Sequence, residues 1–277
     1  NKQRLLAASS PTGPAFEGAQ ISCGQRAANG AIERVRIDKQ TLEPRFSVIG
    51  IKGWSNEIKF KEQLASIEIT GICGSGIIEV LGEMYLSEIM TSDGIIRGDL
   101  QKRSNRIEKN GRTYSYRLTD NVIITQNDVR AIQLAKAALH AGFKLLMDKI
   151  GVYEIDKVML AGAFGSHIEP KYAMVLGIVP DCNLKSVSSV GNSAGAGARL
   201  ALLSQKKRIE IEGLVKKIEK VETAVEINFQ KHFVEAMAFP HKTDLYPILG
   251  SQIKMPSKDL NIAIKDGDKK RRRRKLN

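Results

Sequence analysis

Few cysteines, few aromatics and no long apolar run mark this sequence, and each shortage closes off a class of protein. The three cysteines, Cys23, Cys73 and Cys182, stand far apart, without the C-x₂-C or C-x₄-C spacing that iron–sulfur ligation takes. They suit reduced thiols in a cytoplasm better than a disulfide framework. Aromatics make up 5% of the chain, too few for a stacking platform that would hold nucleic acid. No stretch approaches the roughly 20 apolar residues that span a bilayer, so no membrane partner is expected. No GK[ST] follows any glycine-rich stretch, which removes the P-loop pattern. The histidines, His140, His167, His232 and His241, show no paired ligand spacing, so no metal site is expected. His140 falls on the polar edge of a helical stretch, where a solvated ring is expected.

What is present supports a sizeable core: 277 residues, 42% of them hydrophobic. The sequence opens on Asn1 inside an apolar, strand-like run, and is expected to be the later part of a longer chain. The formal charge of +13 points first to a polyanionic partner, but seven of those charges lie in Lys269 to Lys275, KKRRRRK, leaving about +6 elsewhere. Such a block is most simply a solvated, disordered end, with nucleic-acid binding as the weaker reading. The expected division is a body over 1–250 and a basic tail over 251–277.

Within the body, strand-like and helical segments alternate. Arg4 to Ser9, Ile32 to Ile37, Phe46 to Ile51, Thr113 to Leu118 and Val122 to Thr125 read as strands by their branched and aromatic content. From Asp128 to Ile150, apolar residues recur every three or four positions, predicting an amphipathic helix. Thr125 and Asp128 resemble a capping box at its start, with Asn127 as a competing cap. Lys157 to Ala161 then reads as a buried strand entering a glycine turn, and Pro170 suits the first turn of a helix. Val187 to Val190 repeats the pattern before a helix over Ala198 to Ser204. This alternation predicts an α/β layer fold.

Three glycine-bearing loops carry the functional argument. Ser9 to Gln20 holds two prolines and two glycines, with Ser9, Ser10 and Thr12 offering hydroxyls. Thr70 to Gly76, TGICGSG, precedes a helical stretch over Ile77 to Met90, placing free amides where anions are favoured. Ala161 to Ser166, AGAFGS, follows a strand. Taken singly, a glycine turn after a strand is more often only a turn. GNSAGAG, from Gly191, lacks the acidic residue of a dinucleotide fingerprint. Cys73, between glycines, is a small buried residue more readily than a nucleophile.

Taken in order, LLAASSPTGPAFEGAQI, EITGICGSGIIEVL, ITQNDVRAIQLAKAAL, LAGAFGSHIEP, LGIVPD, SVGNSAGAGARLALLS and AMAFPHKTD are more specific than their parts. Together they resemble the carboxy-terminal region of the reductive activators of corrinoid proteins. The resemblance implies a ribonuclease-H-like lobe of the actin, sugar-kinase and heat-shock-chaperone ATPase fold. It implies ATP with Mg²⁺ as ligand, and a [2Fe–2S] cluster in an amino-terminal ferredoxin-like domain that this sequence does not contain. The implied activity is ATP-driven return of cob(II)alamin to cob(I)alamin. The partners are then a corrinoid methyl-transfer protein and the electron-donating ferredoxin domain, with a homodimer as a further arrangement. On this mapping Gly162 and Gly165 border the adenosine. Ser10, Thr12 and Gly13 lie at the phosphate end, and Gly74, Ser75 and Gly76 flank the cleft. Asn192, with Ser193, caps a closing helix. Glu17 is a candidate orienter of water or Mg²⁺, or simply an exposed loop acid. Without the upstream phosphate loops, the alternative is a nucleotide-regulated docking module that hydrolyses nothing itself.

Overall fold

A computed structural model describes residues 4–64, 66–162, 165 and 167–257. The basic run Lys269 to Lys275 and the disorder expected of it lie outside the described residues, as do Ala163, Phe164 and Ser166 of the third loop.

The chain opens with β1 (Leu5–Ala8), followed by β2 (Ala31–Ile37), β3 (Pro44–Val48) and the short helix α1 (Ile58–Leu64). β4 (Gly71–Ile72) leads straight into α2 (Gly74–Leu86), and β5 (Ile107–Asn110), β6 (Thr113–Arg117) and β7 (Ile123–Ile124) precede the long helix α3 (Gln126–Ile150). Then come β8 (Val158–Ala161), α4 (Pro170–Val175), β9 (Val187–Gly191), α5 (Ser193–Leu203), α6 (Gln205–Val215), β10 (Ile218–Val221), α7 (Phe229–Glu235) and α8 (Pro247–Gln252). The strands form four small sheets. β1 runs parallel to β10 and β8 parallel to β9; β2 lies between antiparallel β3 and parallel β4; β5, β6 and β7 form an antiparallel meander.

Two helices organise the core. α2 buries every residue from Ser75 to Leu86, and packs against β2 and α4. Its approach to β2 requires Gly76, where a Cβ would stand 2.5 Å from the Ile32 carbonyl oxygen. Beyond Ile32, the edge of β2 that faces α2 is closed by carboxylates rather than by a strand. Glu79 accepts from the Val35 N–H at 2.9 Å, and Glu83, one turn on, accepts from the Ile37 N–H at 2.9 Å. Glu79 also binds Arg34 at 2.7 Å and Arg36 at 2.5 Å, although its own side chain is 1% exposed. Arg36 reaches on to Glu169 and lies between the rings of Trp54 and Tyr172. Every buried charge here is paired, as burial demands.

α3 begins where its capping box places it. The Thr125 hydroxyl accepts from the Asp128 N–H, and the Asp128 carboxylate accepts from the Thr125 N–H at 2.7 Å. The same carboxylate takes the Ser22 N–H at 2.7 Å, fastening the segment after the first loop to the helix start. Gly151, in the left-handed conformation, ends the helix.

Several expected boundaries move. The helix expected from Ala198 starts at Ser193, because the Asn192 side chain caps the Gly195 N–H and draws a glycine-rich turn into the helix. The helix expected over Ile77 to Met90 runs from Gly74 to Leu86, and the strand expected over Phe46 to Ile51 runs from Pro44 to Val48. α5 and α6 pack on each other and bury no residue of their own, leaving Leu202, Leu203 and Ile209 exposed.

Candidate functional site

The first two glycine loops meet. The segment after the first loop runs beside β4, with a parallel bridge between Gly24 and Ile72 and a hydrogen bond from the Ile72 N–H to the Cys23 carbonyl. The short 3-10 turn Ala15–Glu17 packs on both α2 and α3. Ser10 sits over Gly142 of α3, where a Cβ would lie 2.3 Å from the Ser10 Oγ. Thr12 donates its N–H back to the Ser10 carbonyl, and Gly13 takes φ +63°, a turn conformation that glycine adopts freely. Glu17 is exposed on this turn. Gly74 opens α2 behind the cap residue Cys73, while Ser75 is buried with its Oγ 3.3 Å from the Cys73 sulfur. Ser75 and Gly76 therefore serve the packing of α2, and the less buried Gly74 is left nearest the loop.

The third loop meets the GNSAGAG turn. β8 and β9 are in parallel register through Ala161 and Gly191, and the Gly162 N–H donates to the Gly191 carbonyl at 2.8 Å. Gly162 takes φ +99°, which L side chains rarely adopt, and among the described residues a Cβ built there would meet nothing within 4 Å. Gly165 differs: it is buried, and a Cβ there would press on the Ala161 carbonyl oxygen at 2.9 Å. Its smallness serves the loop's own closure.

A second polar region surrounds α3. Lys136 is fully buried, and donates to the carbonyls of Ala238 at 2.5 Å and Pro240 at 2.7 Å, its amine over the Phe239 ring. One turn on, His140 is 1% exposed. This overturns the expected solvated ring: the polar edge of α3 is covered by a segment from much later in the chain, 237–244. Burial, with the nearby Lys136 and His241, pulls the His140 pKa down to about 3. His241 is pulled to about 4, chiefly by burial, and burial lowers the Lys136 amine well below its ordinary value. Lys144, a further turn along, binds Asp244 at 3.0 Å. By contrast, burial raises the Cys23 thiol to about 11, with Asp128 adding to the effect, which disfavours its thiolate. A surface cavity of about 830 Å³ is lined by other residues, Arg36 to Gln40 with Glu43, Arg45, Asn56 and Glu83.

Residues 1–250 match the family described as the C-terminal domain of RACo, the ASKHA domain. The chain belongs to this family. The RACo C-terminal domain is thereby of the actin, sugar-kinase and heat-shock-chaperone fold, as the resemblance implies. It is 33% identical over 250 residues to the corrinoid activation enzyme RamQ of Eubacterium limosum, covering 85% of this chain and 39% of that protein. It is 27% identical over 228 residues to a [Co(II) methylated amine-specific corrinoid protein] reductase of Methanosarcina barkeri, covering 78% of this chain and 38% of that protein. A solved reductive activator for a corrinoid, iron–sulfur protein superposes with a TM-score of 0.74 at 34% identity, over 88% of this chain and 38% of that one. The chain thus spans about two fifths of the length of these relatives. Among the described residues of this RACo C-terminal domain, no helix is long and apolar enough to cross a membrane.

The Lys136, His140, His241 and Asp244 group was not legible in spacing, because its halves lie on α3 and on a segment after α7. The one available signal was an i, i+4, i+8 run of Lys136, His140 and Lys144 on a helix whose other face is apolar.

Proposed function

We propose that this RACo C-terminal domain is the ATP-binding portion of an activator that returns the cob(II)alamin of corrinoid methyl-transfer proteins to cob(I)alamin. In this reading electrons come from a ferredoxin-like [2Fe–2S] domain outside this chain. The three cysteines of the chain are fewer than the four thiolates such a cluster takes, so none of its own residues is assigned to it.

The observation that carries the nucleotide reading is the paired end of β8 and β9. Gly162, held to Gly191 by a hydrogen bond and at a φ that favours glycine, offers a backbone surface against which a planar nucleoside can lie. Asn192 spends its side-chain oxygen on the cap of α5, so it orients that helix rather than gripping the ligand through this atom. Ser10, Thr12 and Gly13 are assigned to the phosphate end, and the exposed Glu17 to Mg²⁺ or water. Bound ATP supplies free energy by hydrolysis; the domain supplies a cleft that binds one arrangement of the protein better than another, which is what couples a ligand to a conformational change.

Calorimetric titration of ATP and a slowly hydrolysed analogue tests the reading, on this chain and on a longer form carrying the residues that precede it in the relatives. Gly162→Val should abolish binding in whichever form binds. Undiminished affinity in that variant would remove the assignment, as would no adenine-nucleotide affinity in the longer form.

A second reading has one specific support. The exposed apolar surface of α5 and α6 suits a docking module regulated by nucleotide without hydrolysis of its own. Binding without turnover in the longer form selects it over the first.

A further inference from the structure

Lys136, His140 and Lys144 stand one turn apart on α3 and all face the segment 238–244. The His140 Nδ1 lies 2.9 Å from the Gly177 carbonyl, which can only accept, so this nitrogen carries the proton and Nε2 keeps its lone pair. The Nε2 is buried and has no hydrogen-bond partner among the described residues. His241, 4% exposed, has the complementary state: its Nδ1 accepts from the Asp244 N–H at 2.9 Å, and its Nε2 is likewise buried and without a partner. The two rings lie 4.9 Å apart. One nitrogen of each and a carboxylate oxygen of Asp244 fall within 4.8 Å of one another. Buried polar atoms left unpaired are rare in folded proteins, and two of them on neighbouring rings beside a carboxylate ask for an occupant.

We infer that His140, His241 and Asp244 form a binding site for a divalent transition-metal ion of the zinc type, at the seam between α3 and the segment 238–244. Two imidazoles with a carboxylate are the donor set that borderline ions of this kind prefer. The outer shell of His140 is already in place, since a backbone carbonyl orients its ring through the other nitrogen, the usual arrangement for a metal-bound imidazole. Asp244 is partly exposed and opens a way in from solvent. Loading moves one proton within His241. The Nε2 proton is replaced by the metal and Nδ1 takes up a proton, which it donates to the Thr243 hydroxyl 3.4 Å away; the segment 241–244 shifts to release the Asp244 N–H that Nδ1 accepted, and no net proton is released. The Lys136 amine is compatible with a neighbouring dication in its neutral form, whose two N–H groups match the two carbonyls it already serves. The ion would pin residues 238–244 to α3 from the inside.

The test is to strip the chain with a chelator, then titrate Zn²⁺ by calorimetry and Co²⁺ by visible absorption. The expected result is one ion per chain, with d–d bands from Co²⁺ that Zn²⁺ displaces. His140→Gln and His241→Gln should each weaken binding at least tenfold; Asp244→Asn, at a partly exposed position, does the same should the buried variants not fold. Nitrogen-15 spectra of the imidazoles should show His241 exchanging tautomer on addition of Zn²⁺. Affinity equal in the unaltered chain and Asp244→Asn would overturn the site, as would imidazole shifts unmoved by saturating Zn²⁺. The two rings would then be joined by a water or by a direct hydrogen bond.

Discussion

Replacing Glu79 with alanine should destabilise the domain by about 3–5 kcal/mol, the range for breaking a buried ion pair from one side. The contributions can be separated. Arg34, whose side chain is 35% exposed, can turn toward water and loses little; Arg36 keeps Glu169 and its two aromatic neighbours. The Val35 N–H has no such recourse. It is buried on the edge of β2 with Glu79 as its acceptor, and an orphaned donor of that kind costs about 1–3 kcal/mol. The remainder is the cavity left against β2. Glu79→Gln keeps the volume and an acceptor for Val35, so its loss should be smaller, about 1.5–3 kcal/mol for the charged hydrogen bonds alone. Urea unfolding followed by circular dichroism, at low salt and at about 0.5 M salt, checks both, since burial shields this pair from screening. Arg117→Ala, which removes the more exposed pairs with Glu108 and Asp120, is the control and should lose under about 1 kcal/mol, fading with salt. A loss below about 1 kcal/mol for Glu79→Ala would refute the claim that these carboxylates hold α2 to β2.

Acidification should weaken the fold before the carboxylates titrate. His140 and His241 have folded-state pKa values near 3 and 4, below an unfolded value of about 6.5, so the unfolded chain binds more protons. Their contribution is present above pH 6.5 and is lost as pH falls; between pH 7 and pH 5 each accounts for roughly 2 kcal/mol, measured by urea unfolding with a chelator present. His140→Gln should remove about one proton from the slope, and an unchanged slope would show that His140 does not carry it. Lys136→Met strands the carbonyls of Ala238 and Pro240, and should lower stability by about 2–4 kcal/mol in the same assay. Thr125→Ala removes the cap of α3 and should lose about 1 kcal/mol, seen as a lower thermal midpoint.

The parts of the fold that sequence reached are those set by local chemistry. α3 was legible from its apolar period and from Thr125 and Asp128, because both the stripe and the cap are properties of neighbouring residues. Pro170 marked the start of α4 in the same way. β4, two residues long, and α6, which buries nothing, leave no such pattern. His140 was misread for a related reason: periodicity says which side of a helix is apolar, not which side is covered, and here the cover arrives from after α7. The glycine loops divide similarly. Gly162, at φ +99°, has a backbone turn that glycine takes readily, whereas Gly76 and Gly165 are small because backbone presses on them.

The hairpin of α5 and α6 joins the body through its ends, β9 paired with β8 on one side and β10 paired with β1 on the other. Segments so lightly fastened open at little free energy, so amide exchange should be fastest there and a protease should nick this pair first, leaving the core of α2 and α3 intact. Whatever settles on that bare surface would announce itself as protection from the cut.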